Sequence, residues 1–257
     1  MSGFAELSPG AHPKSDQVVD LPPPRKFLGR DVYVFGVTGP PVFALHELPG
    51  FTPKFIHFCR ALSGNGFTVY APLLFGKAGE TATYRNLLRA SFSRDWYVLK
   101  NATPRIINEL RRIADAIQTE HRVPMGAIGM CFTGQLPVAL LDRKYIRAAV
   151  LSQPSMPFAN KKGLGLDEDD VRAAKQSGVP IIAFRFETDE TSPPQRRAAF
   201  QQEFGAQIDF QALPAKERQH AVLTEHLFDD KGNMLVGTPA AQAFEKTCDY
   251  LRTHLSQ

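Results

Sequence analysis

The sequence predicts an α/β fold, a mostly parallel central sheet with helices on both faces. Three observations carry that expectation. Short segments rich in β-branched and aromatic residues alternate with longer segments that are apolar at helical spacing. Most of the short segments are nearly continuous apolar runs, the pattern of strands covered from both sides. A chain of 257 residues with 43% hydrophobic content is also long and apolar enough to bury one large core. Alternating strand and helix implies right-handed crossovers within a single domain.

The elements follow in order. Residues 1–29 are rich in proline and charge (Pro9, Pro13, Pro22, Pro23, Pro24, Lys14, Arg25, Lys26) and read as an extended N-terminal arm ahead of one domain over 30–257. Strands are expected at 31–37, 41–46, 67–71, 126–129, 148–152, 180–186 and 208–213. Helices are expected at 53–64, 102–121, 132–142, 167–177, 193–204 and 238–254. The cap signals agree with this map. Thr103-Pro104 places proline at a first helical turn, Asp167 to Asp170 load acid at a helix start, and Gly178-Val-Pro180 stops that helix. Between a strand end and a long helix, residues 73–97 show weak periodicity, with Gly76, Gly79, Arg85, Arg89, Arg94, Asp95 and Trp96; this stretch is a candidate lid or substrate-facing excursion.

Residues 128–134, Ile-Gly-Met-Cys-Phe-Thr-Gly, read as a buried strand, a sharp turn bearing one thiol, and a helix start. That is the layout of a nucleophile elbow, in which small residues around the nucleophile relieve crowding at a strained strand-to-helix turn. Gly129 and Thr133-Gly134 flank Cys131 in this way, and amides at the following helix start could face an oxyanion and lower the thiol pKa. The plain alternative is a buried, inert cysteine.

Ligands of an open parallel sheet sit beyond the carboxyl ends of its strands, so the other chemical groups are sought there. Asp189 lies in an acidic turn closing the 180–186 strand, with Glu187 second to it; its other reading is a helix cap or turn residue. His226 follows the last strand, and its other reading is a surface histidine. Nucleophile, acid, histidine is the chain order of a hydrolase-fold triad. His46-Glu47-Leu48-Pro49-Gly50 follows the 41–46 strand, where a second oxyanion amide belongs. The hole is therefore expected from the backbone N–H groups of Leu48 and Phe132. Glu47 would hold the resting thiol or its proton, or else is a surface carboxylate.

Assembled, these residues resemble the dienelactone hydrolase family of α/β-hydrolases over roughly 30–255. The matches are His46-Glu47-Leu48, the Tyr70-Ala71-Pro72-Leu73 strand end, the Gly129-x-Cys131 elbow, the Asp189-x-x-x-Pro193 turn, and His226-x-Phe228 followed by a helix bearing Glu245 and Leu251. The resemblance implies an α/β-hydrolase fold with Cys131 as nucleophile, His226 as base, Asp189 as its orienter and Glu47 controlling thiol ionisation. Two departures stand out. Family members acting on dienelactones have an arginine four residues beyond the histidine to hold a substrate carboxylate, whereas Asp230 stands there in this chain. Arg85, Arg89 or Arg94, with Trp96 nearby, could supply another clamp, although such arginines are usually solvated. The elbow also has Thr133 in place of glycine, which requires an ordinary φ at that position.

Composition narrows the class further. The 30 Lys+Arg against 26 Asp+Glu give a formal charge of +4, dispersed without the basic runs and interleaved aromatics of a nucleic-acid surface. Cys59, Cys131 and Cys248 are odd in number and lack metal-ligand spacing, which argues against a disulfide framework or zinc site and for a reducing cytoplasm. No segment resembles a signal-peptide core or approaches the apolar length of a membrane span. The expectation is a cytoplasmic, cofactor-free, cysteine-dependent hydrolase of a small-molecule ester or lactone, with neither metal nor membrane, and with a homodimer left open. The same residues could instead serve phosphotriester hydrolysis or acyl transfer, or the chain could be a catalytically silent binding protein of this fold.

Overall fold

The computed structural model describes residues 20–48, 50–80 and 101–256. Its eight strands are β1 (Arg25–Phe27), β2 (Arg30–Phe35), β3 (Pro41–Leu45), β4 (Thr68–Pro72), β5 (Met125–Met130), β6 (Ile146–Ser152), β7 (Ile181–Phe186) and β8 (Ile208–Leu213). They form one sheet in the order β1-β2-β4-β3-β5-β6-β7-β8. β1, β2 and β4 pair antiparallel, and every pairing from β4 through β8 is parallel. The helices are α1 (Pro53–Gly64), α2 (Ile106–His121), α3 (Leu136–Ala139), α4 (Glu168–Ser177), α5 (Pro194–Phe204) and α6 (Pro239–Leu255).

Strand periodicity divides the core into two layers. Phe43 and Leu45 of β3 join Ala127 of β5 and the apolar stripe Ile106, Leu110, Ile113 and Ile117 of α2 on one side. Val42 and Ala44, with Ile128 and Met130, face the other side, against Phe55, Phe58 and Leu62 of α1 and Phe244 and Leu251 of α6. β3, β4, β5 and β7 are buried along their whole length, which is why each reads as a continuous apolar run. Thr52 and Thr238 cap α1 and α6 by accepting from Phe55 N and Ala241 N, each ahead of a proline in the first turn. Gly178 ends α4 in the left-handed region at φ 64°. Among the described residues, no helix is long and apolar enough to cross a membrane.

Three expectations are corrected. The sheet begins at Arg25, inside the segment expected to be an arm, because Arg25–Phe27 pairs with β2 and buries Phe27. The helix expected over 132–142 is broken into a 3₁₀ turn at Cys131–Thr133, the four-residue α3, and a second 3₁₀ turn at Leu140–Asp142. Pro137 lacks the amide that a continuous helix needs there. α2 starts at Ile106, not 102, since Thr103 is used elsewhere: its hydroxyl accepts from Asp167 N at 2.8 Å and donates to Asp170 at 2.5 Å, tying this segment to the start of α4.

Register sets the chemistry. β5 pairs in parallel with β3 and β6, Leu45 opposite Gly129 and Met130 opposite Ser152. The residues just past three adjacent strand ends, Glu47, Cys131 and Gln153, are thereby brought to one point.

Candidate active site

Cys131 follows the last residue of β5 with φ 51°, a left-handed backbone that a non-glycine residue adopts only when its surroundings enforce it. The enforcement is visible at both flanking glycines. A Cβ on Gly129 would lie 2.3 Å from the Thr133 carbonyl oxygen and 2.7 Å from Pro137 Cδ, and one on Gly134 would lie 2.6 Å from Pro154 Cα. Thr133, where the resemblance leads one to expect glycine, adds a tie of its own. Its hydroxyl accepts from Met130 N at 3.0 Å and donates to Leu45 O at 3.0 Å, fastening the elbow to the end of β3.

Asp189 sits past the end of β7 and is buried. Its Oδ1 accepts from the amides of Thr191 and Ser192 at 2.9 and 3.0 Å, leaving Oδ2 to meet Nδ1 of His220 at 2.7 Å. The buried Arg185 braces this turn, donating to the carbonyls of Ser192, Asp189 and Glu187. Thr188 joins it to the histidine loop by donating to Glu217 O at 2.6 Å.

The histidine at this site is His220, not His226. The ring of His226 packs edge-on against Phe186 with centroids 5.1 Å apart, while His220 shares the carboxylate of Asp189 and lies beside Cys131. Burial by itself would lower the His220 imidazole. Its interactions with Cys131 and with the Asp189 carboxylate outweigh burial and hold it well above the ordinary histidine value. Sequence reasoning passed over His220 because the loop between β8 and α6 carries both histidines and has no periodicity to rank them. The usable signal was nearness to the strand end, which favours His220. Asp230 is likewise displaced from the role considered for it: it is fully exposed, 3.6 Å from Lys54. The residue four beyond His220 is Thr224.

Thr224 donates its hydroxyl to Oε1 of Glu47, and Gln153 donates to Oε2 at 3.0 Å. Gln153 is itself strained, at φ 36°, and accepts from Val222 N at 3.2 Å, so one amide spans β6, the histidine loop and Glu47. Burial raises Glu47 to about 7 even though both hydrogen bonds favour its charged form. Ligand atoms of Glu47, Cys131 and His220 all lie within 4.8 Å of one another.

A residue that the sequence reading left without a role, His46, supports the Glu47 turn. Leu74 N donates to its Nε2 at 3.0 Å, so Nε2 is unprotonated; Nδ1 carries the hydrogen and donates to Glu47 O at 3.1 Å. Full burial lowers its pKa to about 4, which keeps this neutral tautomer. Phe51, Phe55 and Phe75 surround the ring. Phe75 also meets Phe132, which in turn meets the partly exposed Phe158, giving an aromatic wall beside the thiol. Arg85, Arg89, Arg94 and Trp96, considered as substrate contacts, lie outside the described residues.

The comparisons identify the family and the fold. The model of the dienelactone hydrolase family matches residues 31–255. Solved structures with the same fold include a Klebsiella pneumoniae protein assigned as a dienelactone hydrolase, at TM-score 0.59 and 17% identity, covering 89% of this chain and 93% of that one. TT1662 of Thermus thermophilus superposes at TM-score 0.61 and 14% identity, covering 93% and 100%. A monoacylglycerol lipase of Paleococcus ferrophilus does so at 0.54 and 13%, covering 88% and 99%. Among curated proteins none matches this chain. At such identities the structural likeness shows the α/β-hydrolase fold.

Proposed function

Since the chain belongs to the dienelactone hydrolase family, we propose that it hydrolyses carboxylic esters or lactones through a thioester on Cys131, with His220 as base and Asp189 orienting it. The observation that carries this reading is the strained Cys131 at φ 51° beside a histidine whose other nitrogen meets Asp189 at 2.7 Å. An Asp–His pair of that kind fixes the ring and stabilises its cation.

The thiolate of Cys131 attacks the carbonyl carbon. The developing oxyanion is held by the N–H groups of Leu48 and Phe132. Collapse of the tetrahedral adduct breaks the bond to the alkoxide, which takes a proton from Nε2 of the His220 cation. The ring, now neutral, removes a proton from water as that water attacks the thioester, and the acid leaves with the thiol restored. Glu47 is the acceptor of the thiol proton before substrate arrives, and passes it on to His220. The residue four beyond the histidine is Thr224 rather than arginine, and its hydroxyl serves Glu47. The aromatic wall of Phe75, Phe132 and Phe158 suits an apolar or aromatic acyl group.

The test uses p-nitrophenyl acetate and a panel of lactones. Cys131→Ala abolishes turnover, and His220→Gln lowers kcat by roughly 100- to 10,000-fold. His226→Gln leaves kcat near the wild-type value. Loss at His226 with retention at His220 would sink the assignment.

A further inference from the structure

We propose that Glu47, Cys131 and His220 together bind one thiophilic divalent cation of the zinc type, reversibly, and that the bound cation blocks the thiol. The claim that binding stops turnover rests on Cys131 being the nucleophile; the claim of binding and blocking does not.

The donor set comes first. A thiolate, an imidazole and a carboxylate are the three ligand types a zinc-like ion accepts together. Their ligand atoms lie within 4.8 Å of one another, and no other group of three such residues among those described is as close. Zinc bond lengths of about 2.0–2.3 Å put tetrahedral ligand atoms roughly 3.5 Å apart, so closure requires a contraction of about 1 Å at the widest pair. The side chains supply it from the ends of β3 and β5 and from the loop between β8 and α6.

The surrounding residues are already arranged as a metal site requires. Nδ1 of His220 is held by Asp189 at 2.7 Å, and its Nε2 is turned toward Cys131. A carboxylate that fixes one ring nitrogen and turns the other toward the remaining ligands is the orienting shell of a metal-bound histidine. The Glu47 carboxylate is positioned the same way by Gln153 and Thr224. Binding exchanges protons without redox change: the thiol releases one proton as sulfur bonds to the ion, and a protonated Glu47 releases a second.

The experiment uses the full-length protein, stripped with a chelator and titrated with Co²⁺. One equivalent should produce a sulfur-to-cobalt charge-transfer band and the strong visible bands of a tetrahedral ion, and Zn²⁺ should erase both. Cys131→Ala removes the charge-transfer band, while Cys59→Ala and Cys248→Ala keep it. Asp189→Asn, which alters no ligand, weakens binding by about 10- to 100-fold; circular dichroism confirms that each variant is folded. In parallel, Zn²⁺ at the same midpoint protects Cys131 from alkylation by iodoacetamide, and a chelator reverses the protection. A band that persists in Cys131→Ala, alkylation unaffected by bound metal, or no saturable binding to millimolar Co²⁺ overturns the proposal. Alkylation and spectra need no substrate. Metal binding without ester turnover would thus count against the hydrolase reading alone, and Cys131-dependent turnover without metal binding against this inference alone.

Discussion

Glu47 is a fully buried carboxyl raised to about 7 by that burial, and Gln153 and Thr224 hold it against Cys131. Below about pH 7 it carries its own proton and cannot accept another from the thiol; above, it is ionised and can. The expected kcat/KM therefore falls with a slope of one as pH drops through about 7. Glu47→Gln should remove that limb, with kcat/KM at pH 8 lowered roughly 100-fold, the size of one general-base contribution. A pH–rate profile whose acid limb is unchanged in Glu47→Gln would assign the ionisation to another group. At this scale the sequence was informative about Cys131, Asp189 and Glu47, because each lies within a few residues of a strand end and carries a side chain able to take part in catalysis. It was uninformative about His220, Gln153 and Thr224. His220 and Thr224 reach the site through the path of the β8–α6 loop, which has neither hydrophobic period nor strict turn signals, and Gln153, just past β6, meets that loop at Val222 N. His46 was hidden for a different reason: its role depends on a tautomer fixed by the amide of Leu74, a residue distant in the chain.

The elbow is the element on which the site turns, and its geometry has a measurable requirement. Gly129 stands where an added methyl would meet the Thr133 carbonyl oxygen at 2.3 Å, and backbone cannot move aside as a side-chain tip can. Gly129→Ala should destabilise the protein by about 1–3 kcal/mol, the range for overpacking a filled site. It should also lower kcat more than it raises KM, since the displaced turn carries the nucleophile and the Phe132 amide. Urea unfolding and steady-state kinetics on the same preparation check both; unchanged stability would mean that the turn relaxes without cost. Most elements were legible because buried parallel strands declare themselves as apolar runs and helices by apolar spacing and stop signals such as Gly178-Val-Pro180. The failures have local causes. β1 is three residues long with one buried side chain, too short for any period to emerge. The 132–142 segment has a helical apolar pattern on every face, and Pro137 together with the tight exit from the elbow divides it into single turns.

At the scale of the whole molecule, the buried Glu47 and the buried His46 act on stability in opposite senses over nearly the same pH range. Glu47 rises from an ordinary 4.5 to about 7, so its bound proton stabilises the native state fully below pH 4.5, and that contribution is lost as pH climbs through about 7. His46 falls from 6.5 to about 4. Its contribution is present above pH 6.5 and is lost as pH falls toward 4. Each shift corresponds to a term on the order of 3 kcal/mol. In the wild type the two largely cancel between pH 4.5 and 6.5. His220, raised well above 6.5, then adds a further decline on the alkaline side. Glu47→Gln breaks the balance: the variant's unfolding free energy should climb between pH 4 and 6.5 as the His46 term is exposed, with the lowered His57, His226 and His254 acting in the same direction. Relative to wild type, the variant should gain on the order of 3 kcal/mol between pH 4.5 and pH 8. Urea midpoints for both proteins across this range measure the difference directly. Two parallel curves would mean that Glu47 titrates in the native state as it does in the unfolded chain, and that the buried carboxyl is reached by solvent.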